Sequence, residues 1–367
     1  MKKFQKYHLL TIFDLYEEEK MPLDLLLNKY FRAHKAIGSN DRKVICENLY
    51  AIIRWRGLVD AKLEGPITWE RRLEEGNIDD DTSLPLHTRV SFPKFLFEKL
   101  VEGLGEKNAT KFCLESNQEA PITIRANALK TTRDALFAGW KDRYPVRKCK
   151  HSPYGITFDK RINFFTLPEF KKGLFEVQDE GSQLVALHVK AKPGDHILDY
   201  CAGSGGKSLA IAPLMEKKGV IYLHDIRPHA LVQAKKRLKR AGVQNGQIWN
   251  PKHARKKVDW LLLDVPCSGM GTLRRNPDMK WKIDRDTIDR LVAVQKEIFE
   301  EALPFLAPDG HIVYATCSVL PEENELQIAR FCEKYDLEEV EPQFKSSPLS
   351  GGMDGFFAAT LRRKKGV

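Results

Sequence analysis

From residue 181 onward, short apolar runs alternate with amphipathic stretches, and this alternation limits the possible folds more than any other feature of the sequence. The apolar runs fall at 196–199, 220–225, 246–249, 258–264, 311–316 and 356–361. Helical patterns at 181–191, 206–217, 228–241, 286–307 and 322–334 lie between them. Short continuous apolar runs bounded by turn residues read as buried strands. Parallel strands need crossover helices, so the pattern predicts a Rossmann-like, doubly wound, mainly parallel α/β sheet. Such sheets bind ligands beyond the carboxyl ends of their strands, which is where the chemistry is sought.

The preceding residues read differently. Leu9, Ile12, Phe13 and Tyr16 recur at helical spacing, as do Leu23, Leu26, Leu27 and Tyr30. Ser39-Asn40-Asp41 is an N-cap signal ahead of the stripe Val44, Ile45, Leu49, Ile52 and Ile53. Further helices are expected near 92–103 and 105–117, with an acidic, turn-rich loop at 76–83. At Pro121 the pattern changes again. A strand at 122–127, a helix at 131–141 and a broken, strand-like stretch at 145–177 suit a small α/β module. The expected domains are therefore 1–120, 121–180 and 181–367. A chain of 367 residues has room for two or three domains and buries enough core to need no staple.

Composition removes several classes. No apolar run approaches a membrane span. The apolar stretch after the basic N-terminus soon meets Asp14 and Glu17-Glu18-Glu19, unlike a signal peptide. The seven cysteines are scattered with no C-x-x-C pair, so neither a zinc site nor a disulfide framework is expected, and a cytoplasmic, reducing setting fits. The net charge of +10 is uneven: residues 1–120 carry −1, 121–180 carry +5, 181–260 carry +10 and 261–367 carry −4. The excess is densest in Lys235-Lys236-Arg237-Leu238-Lys239-Arg240 and at 252–257. Each run reads either as a solvated helix face or as a surface for nucleic-acid phosphates.

The first strand of the sheet ends in Asp199-Tyr200-Cys201-Ala202-Gly203-Ser204-Gly205-Gly206-Lys207-Ser208. Small residues let the backbone turn sharply and approach a ligand. Gly-Lys-Ser here is not a phosphate loop, because the glycine required five residues before Gly206 is Cys201. The dinucleotide pattern also fails, for lack of its last glycine. The second strand ends in Asp225, 19 residues after Gly206, a distance suited to ribose hydroxyls. A tight turn plus an N-cap aspartate would give the same residues, but together they point to an adenosine-containing cofactor with no pyrophosphate, and S-adenosylmethionine fits.

Two more strands end in Asp264-Val265-Pro266-Cys267-Ser268-Gly269 and Thr316-Cys317-Ser318. Each cysteine alone reads as a small buried residue; two at strand ends beside a cofactor loop read as catalytic. A helix start at Pro321-Glu322-Glu323-Asn324 would favour a thiolate at Cys317, and the glutamates would oppose it. The pair has a chemical rationale. Carbon 5 of cytosine is a poor nucleophile until a thiolate adds to carbon 6. The adduct must then lose its carbon 5 proton and expel the thiolate. One cysteine can add while the other assists release.

The loop 201–207, the block from Asp264 through Cys267-Ser-Gly-Met-Gly-Thr-Leu-Arg-Arg-Asn-Pro-Asp-Met-Lys-Trp281, and the block from Tyr314 through Cys317-Ser-Val-Leu-Pro-Glu-Glu-Asn-Glu325 resemble the Sun/Nop family of RNA 5-methylcytosine methyltransferases. Their bacterial RsmB-type branch, which acts on 16S ribosomal RNA, is the nearest likeness. The stretch from Phe175 to Gln183, the segment Arg125-Ala-Asn-Ala-Leu-Lys130 and the segment around Gly352-Met-Asp-Gly-Phe-Phe357 extend the likeness to about 120–363. It implies that Cys317 is the nucleophile, that Cys267 assists release and that Asp264 lies between cofactor and cytosine. It also implies that Cys201, Ala202, Gly203, Ser204, Gly205, Gly206, Lys207 and Asp225 hold S-adenosylmethionine. Asn250 stands where the family usually has an acid near the adenine, and Tyr200 and Cys201 replace commoner small residues. Arg125 and Lys130 in the small module, with Arg274, Arg275, Lys235, Lys236 and Lys239, are the expected RNA contacts. Leu23 to Arg54 resembles a NusB-like helical domain, shortened here. The expected partner is ribosomal RNA or a small-subunit assembly intermediate, met by a monomer, with no metal. Methylation of tRNA, DNA or a protein, and a non-catalytic assembly factor, are the alternatives.

Overall fold

The computed structural model describes residues 1–19, 21–76, 78–250, 257–350 and 352–364. The chain forms two compact units: Met1–Glu119 with Thr272–Arg285, and Ala120–Gly271 with Asp286–Val367.

The first unit is helical, with α1 (Lys3–Glu18), α2 (Leu23–Ala33), α3 (Ser39–Lys62), α4 (Trp69–Glu75), α5 (Leu86–Arg89), α6 (Lys94–Leu104) and α7 (Glu106–Ser116). The apolar stripes meet in one core containing Leu9, Phe13, Leu26, Tyr30, Ile45, Leu49 and Ile53. Trp69 stacks on Phe13 with ring centroids 4.1 Å apart.

The segment 272–285, expected within the catalytic domain, belongs to this helical unit. Its polar side chains bond backbone and side-chain groups of that unit. Asp278 accepts the Leu23 amide at the start of α2 (3.2 Å). Lys280 is fully buried and donates to Arg54 O and to Asn117 Oδ1, each at 2.7 Å. Burial pushes its ammonium well below the ordinary lysine range. The Trp281 indole donates to Ile53 O (2.8 Å). Arg274 corrects an expectation: its carbonyl accepts from Arg54 (3.1 Å) and its side chain is buried, so it is not placed to meet a phosphate. Arg275 is half-buried.

The second unit contains two sheets. The smaller comprises β1 (Ile122–Ala126), β2 (Val146–Lys148), β3 (Gly155–Phe158) and β4 (Phe175–Val177), in the antiparallel order β2-β3-β1-β4. With α8 (Arg133–Trp140) and α9 (Pro168–Lys171), it encloses a core around Trp140, Phe158 and Phe175.

The larger sheet comprises β5 (His196–Asp199), β6 (Val220–Leu223), β7 (Gly246–Ile248), β8 (Val258–Asp264), β9 (Leu306–Thr316), β10 (Leu337–Glu339), β11 (Phe344–Lys345) and β12 (Phe357–Arg363). Its order is β10-β12-β9-β8-β5-β6-β7, with β11 paired to β12. The strands β9-β8-β5-β6-β7 are parallel, and β12 runs antiparallel to β9. The helices α10 (Glu180–Leu187), α11 (Gly206–Ile211), α12 (Pro228–Ala241), α13 (Arg285–Ala302, whose first residue the first unit contributes) and α14 (Glu325–Tyr335) accompany it. Two apolar cores form, around Val185, Ile211 and Leu262 and around Leu263, Phe299 and Phe331.

The expected doubly wound sheet is therefore present. Strand order reverses between β5 and β8, which makes their carboxyl ends the crevice for a ligand. Among the helices, α11 is shorter than expected, because Pro213 sits in the 3-10 turn that follows it.

Candidate active site

The loop after β5 turns tightly into α11. Gly205 N donates to Ala202 O (2.8 Å), and Ala202 N donates to His224 O (2.8 Å). Gly203 has φ +52°, and its amide donates to Asp225 Oδ2 at 2.8 Å. A β-carbon at Gly203 would stand 4.0 Å from that oxygen and 3.7 Å from Arg227 Nη2, so glycine keeps the space over the carboxylate open. Arg227 donates to Asp225 through its amide (2.9 Å), its Nε (2.9 Å) and its Nη2 (3.1 Å). Burial would raise the Asp225 carboxyl, but Arg227 and the two amides outweigh it and hold it below the usual range. Ile226, next in sequence, is 89% exposed. A carboxylate beside an uncovered apolar side chain suits a ribose diol beside a purine.

Asp199, which the sequence reading did not single out, completes this end of the sheet. It is fully buried and accepts from Ser208 Oγ (2.6 Å), while its Oδ1 has no hydrogen-bond partner. Burial pushes its carboxyl up to about 7. An unmet acceptor beside the glycine loop suits a donor on a bound ligand. Lys207, expected to touch the cofactor, is buried and paired with Asp264 Oδ2. It orients that carboxylate at the end of β8. The Cys201 thiol is raised by burial and by Asp199, Asp264 and Asp225.

The parallel register sets Asp264 beside Ala315, so the chain ends of β8 and β9 carry the two cysteines side by side. Cys267 Sγ lies 3.3 Å from Cys317 Sγ, and the Cys317 amide donates to Cys267 Sγ at 3.2 Å. Both thiols are free and half-buried. The hydrogen bond to Cys317, burial and the charge of Glu323 push the Cys267 thiol well above its ordinary value. The loop that carries it is fastened tightly. Gly271 N donates to Cys317 O (2.9 Å) and Gly355 N donates to Gly271 O (2.8 Å).

The other expected RNA contacts divide in two. Lys235, Lys236 and Lys239 lie exposed along α12, opposite the buried Ala234, Leu238 and Ala241. Arg237 and Arg240, in the same run, instead bond the buried Glu176 of β4 at 3.0 and 2.6 Å, and Arg237 also donates to Ser204 O (3.0 Å). Arg125 is a correction: it is buried and donates to Gln178 Oε1 (2.6 Å) and Leu209 O (3.1 Å), so it braces α11 and does not face RNA. Lys130 Nζ donates to Lys172 O and Arg240 O at the end of α12. Asn250 is exposed just past β7, and of the basic run at 252–257 only Lys257 is described. Among the described residues, no cluster of three His, Cys, Asp or Glu could hold a metal, and no helix is long and apolar enough to cross a membrane.

A Rossmann-like parallel sheet closed by an antiparallel last strand, with a carboxylate cradle beside its glycine loop, fits the methyltransferase class. Residues 186–362 match the family model of the 16S rRNA methyltransferase RsmB/F, and 92–164 match that of the ferredoxin-like domain of RsmF/B-like methyltransferases. The probable ribosomal RNA small subunit methyltransferase B of Synechocystis sp. is 32% identical over 321 residues, covering 80% of this chain and 72% of that protein. The ribosomal RNA small subunit methyltransferase B of Proteus mirabilis is 34% identical over 288 residues, covering 76% of this chain and 65% of that protein. A solved methyltransferase homologue from Pyrococcus horikoshii is 26% identical, with a TM-score of 0.67, covering 77% of this chain and all of that one. The chain belongs to the RsmB/F methyltransferase family. Its methyl donor is S-adenosylmethionine, and the cradle of Gly203, Asp225 and Ile226 fits the nucleoside part of that molecule.

Proposed function

We propose that this chain methylates carbon 5 of a cytosine in 16S ribosomal RNA, in the cytosol. The observation that carries the reading is the pair of free thiols 3.3 Å apart at neighbouring strand ends, beside the Lys207–Asp264 pair and the glycine loop. The named relatives are small-subunit rRNA methyltransferases, which supports the choice of substrate.

S-adenosylmethionine, when bound, supplies an electrophilic methyl group. Gly203 and Asp225 would hold its nucleoside part, and Asp199 offers a further acceptor. Cys317 adds as thiolate to carbon 6 of the cytosine, which turns carbon 5 into a nucleophile. Cys267, held as a thiol, donates a hydrogen bond to the Cys317 sulfur. That contact stabilises the Cys317 sulfur as it departs, when the carbon 5 proton is lost to solvent and the double bond returns. Asp264, fixed by Lys207, stands at the mouth of the same strand as a hydrogen-bond partner for the base. A base reached in this way is single-stranded or flipped.

The test is transfer of tritiated methyl groups to 16S rRNA, 30S particles, tRNA and DNA, followed by nucleoside digestion. The label should appear as 5-methylcytidine in ribosomal RNA. Preferential labelling of DNA or tRNA, or of another atom, would overturn the reading.

A further inference from the structure

Glu323 is fully buried, yet the proposed chemistry gives it no contact with the base. Three donors meet its carboxylate. The Ser268 amide reaches Oε1 at 2.8 Å, the Ser268 hydroxyl reaches Oε2 at 2.5 Å, and Gln295 Nε2 reaches Oε1 at 3.0 Å. Gln295, also fully buried, donates to Pro266 O as well (3.1 Å). The residues on both sides of Cys267 are thus gripped, one by Glu323 directly and the other through Gln295. The Glu323 carbonyl accepts from the Tyr314 hydroxyl of β9 (2.8 Å), so the grip is anchored on the strand that carries Cys317. The Ser318 hydroxyl, one residue beyond Cys317, lies 3.1 Å from that of Ser268.

A buried carboxylate is costly unless its lone pairs are met, and here they are spent on one loop. Side-chain packing alone would hold that loop more cheaply. What an apolar residue could not supply is a fixed separation of the two sulfurs and a negative charge behind one of them.

We propose that Glu323 is the positioning residue of the release cysteine: through Ser268 it sets Cys267 within hydrogen-bond reach of Cys317. The proposal rests on the cytosine-5 reading. The titratable and charged groups that face Cys267 are Cys317 and Glu323 from the loop after β9 and Tyr314 from β9; Asp264, paired with Lys207, lies on its own strand. Removing the Glu323 charge lets the Cys267 thiol ionise at lower pH, and removing the Ser268 hydroxyl loosens the sulfur without changing charge.

The experiment compares wild type, Glu323→Gln and Ser268→Ala on a 16S rRNA transcript, reading turnover against pH and the fraction of enzyme trapped on RNA in denaturing gels. Both variants should accumulate adduct, by about tenfold or more over wild type. Only Glu323→Gln should move the alkaline limb of turnover to lower pH. Ser268→Ala keeps the test alive should Glu323→Gln fail to fold. Wild-type adduct levels in Ser268→Ala, or an unmoved alkaline limb in a folded Glu323→Gln, would overturn the proposal. A transcript containing 5-fluorocytidine separates the two levels: if wild type forms no adduct with it, the cytosine-5 reading itself has failed.

Discussion

Asp199 carries an unmet acceptor in the centre of the catalytic sheet, and that residue has a thermodynamic consequence. Its carboxyl, pushed up to about 7 by burial, keeps a proton that the unfolded chain releases near pH 4. Between those values the native state binds more protons than the unfolded state. Stability of the ligand-free protein therefore falls as pH rises from about 4 to 7 and levels off above it. The loss reaches up to about 4 kcal/mol at 1.36 kcal/mol per unit. Asp199→Asn should remove this contribution, so that its unfolding midpoint, compared with wild type from pH 4 to 8, gains steadily across the window. Parallel curves for the two proteins would contradict the assignment. The same residue shows what sequence reading misses. Asp225 is visible from its spacing after the glycine loop, and Cys267 and Cys317 from their strand ends. Asp199 and Ile226 are not, and Glu323 shows only as a charge near Cys317, because burial, exposure and convergence of donors are properties of the folded surroundings.

Among the elements, the regular ones are legible and the borrowed ones are not. β5, β8 and α12 lie where their apolar patterns place them. β10 and β11 are too short to carry a pattern and exist only through pairing with β12. The basic run on α12 reads as one charged surface, yet Glu176 of β4 takes up Arg237 and Arg240 and leaves the lysines outside. The loop from Cys267 to Gly271 is an element of its own kind, and its end is built on contact between two glycines. A β-carbon on Gly271 would stand 2.0 Å from Gly355 O. Gly271→Ala should displace the loop, cost about 1–3 kcal/mol in denaturant unfolding, and lower methyl transfer further than that loss of folded protein explains. Unchanged turnover in Gly271→Ala would show that the loop's anchorage does not matter to the chemistry.

For the whole molecule, the net charge of +10 gives little guidance until it is sorted by role. Part of the excess in 121–260 is structural: Arg125 is buried, Lys130 caps carbonyls, and Arg237 and Arg240 bind Glu176. Lys235, Lys236 and Lys239 stay exposed and make no ion pair among the described residues. They are a clustered part of that excess still available to phosphate. Reversing all three to glutamate should weaken binding to a 16S rRNA transcript and reduce the salt slope of log affinity by about two to three, as expected when up to three phosphate contacts are lost. An unchanged slope would make this face a solvated helix surface only. The helical unit, near neutral overall, takes in the segment 272–285 that follows the release loop.

The central claim is that two thiols, 3.3 Å apart, divide addition and release between them. The most direct measurement is to incubate Cys267→Ala, Cys317→Ala and the double variant with the RNA and the methyl donor, denature, and find by mass spectrometry which residue carries nucleotide. Cys267→Ala should accumulate a denaturation-stable adduct at Cys317, and both variants lacking Cys317 should give neither adduct nor methylated product. Full methylation by Cys317→Ala, or an adduct in the double variant, would contradict the account.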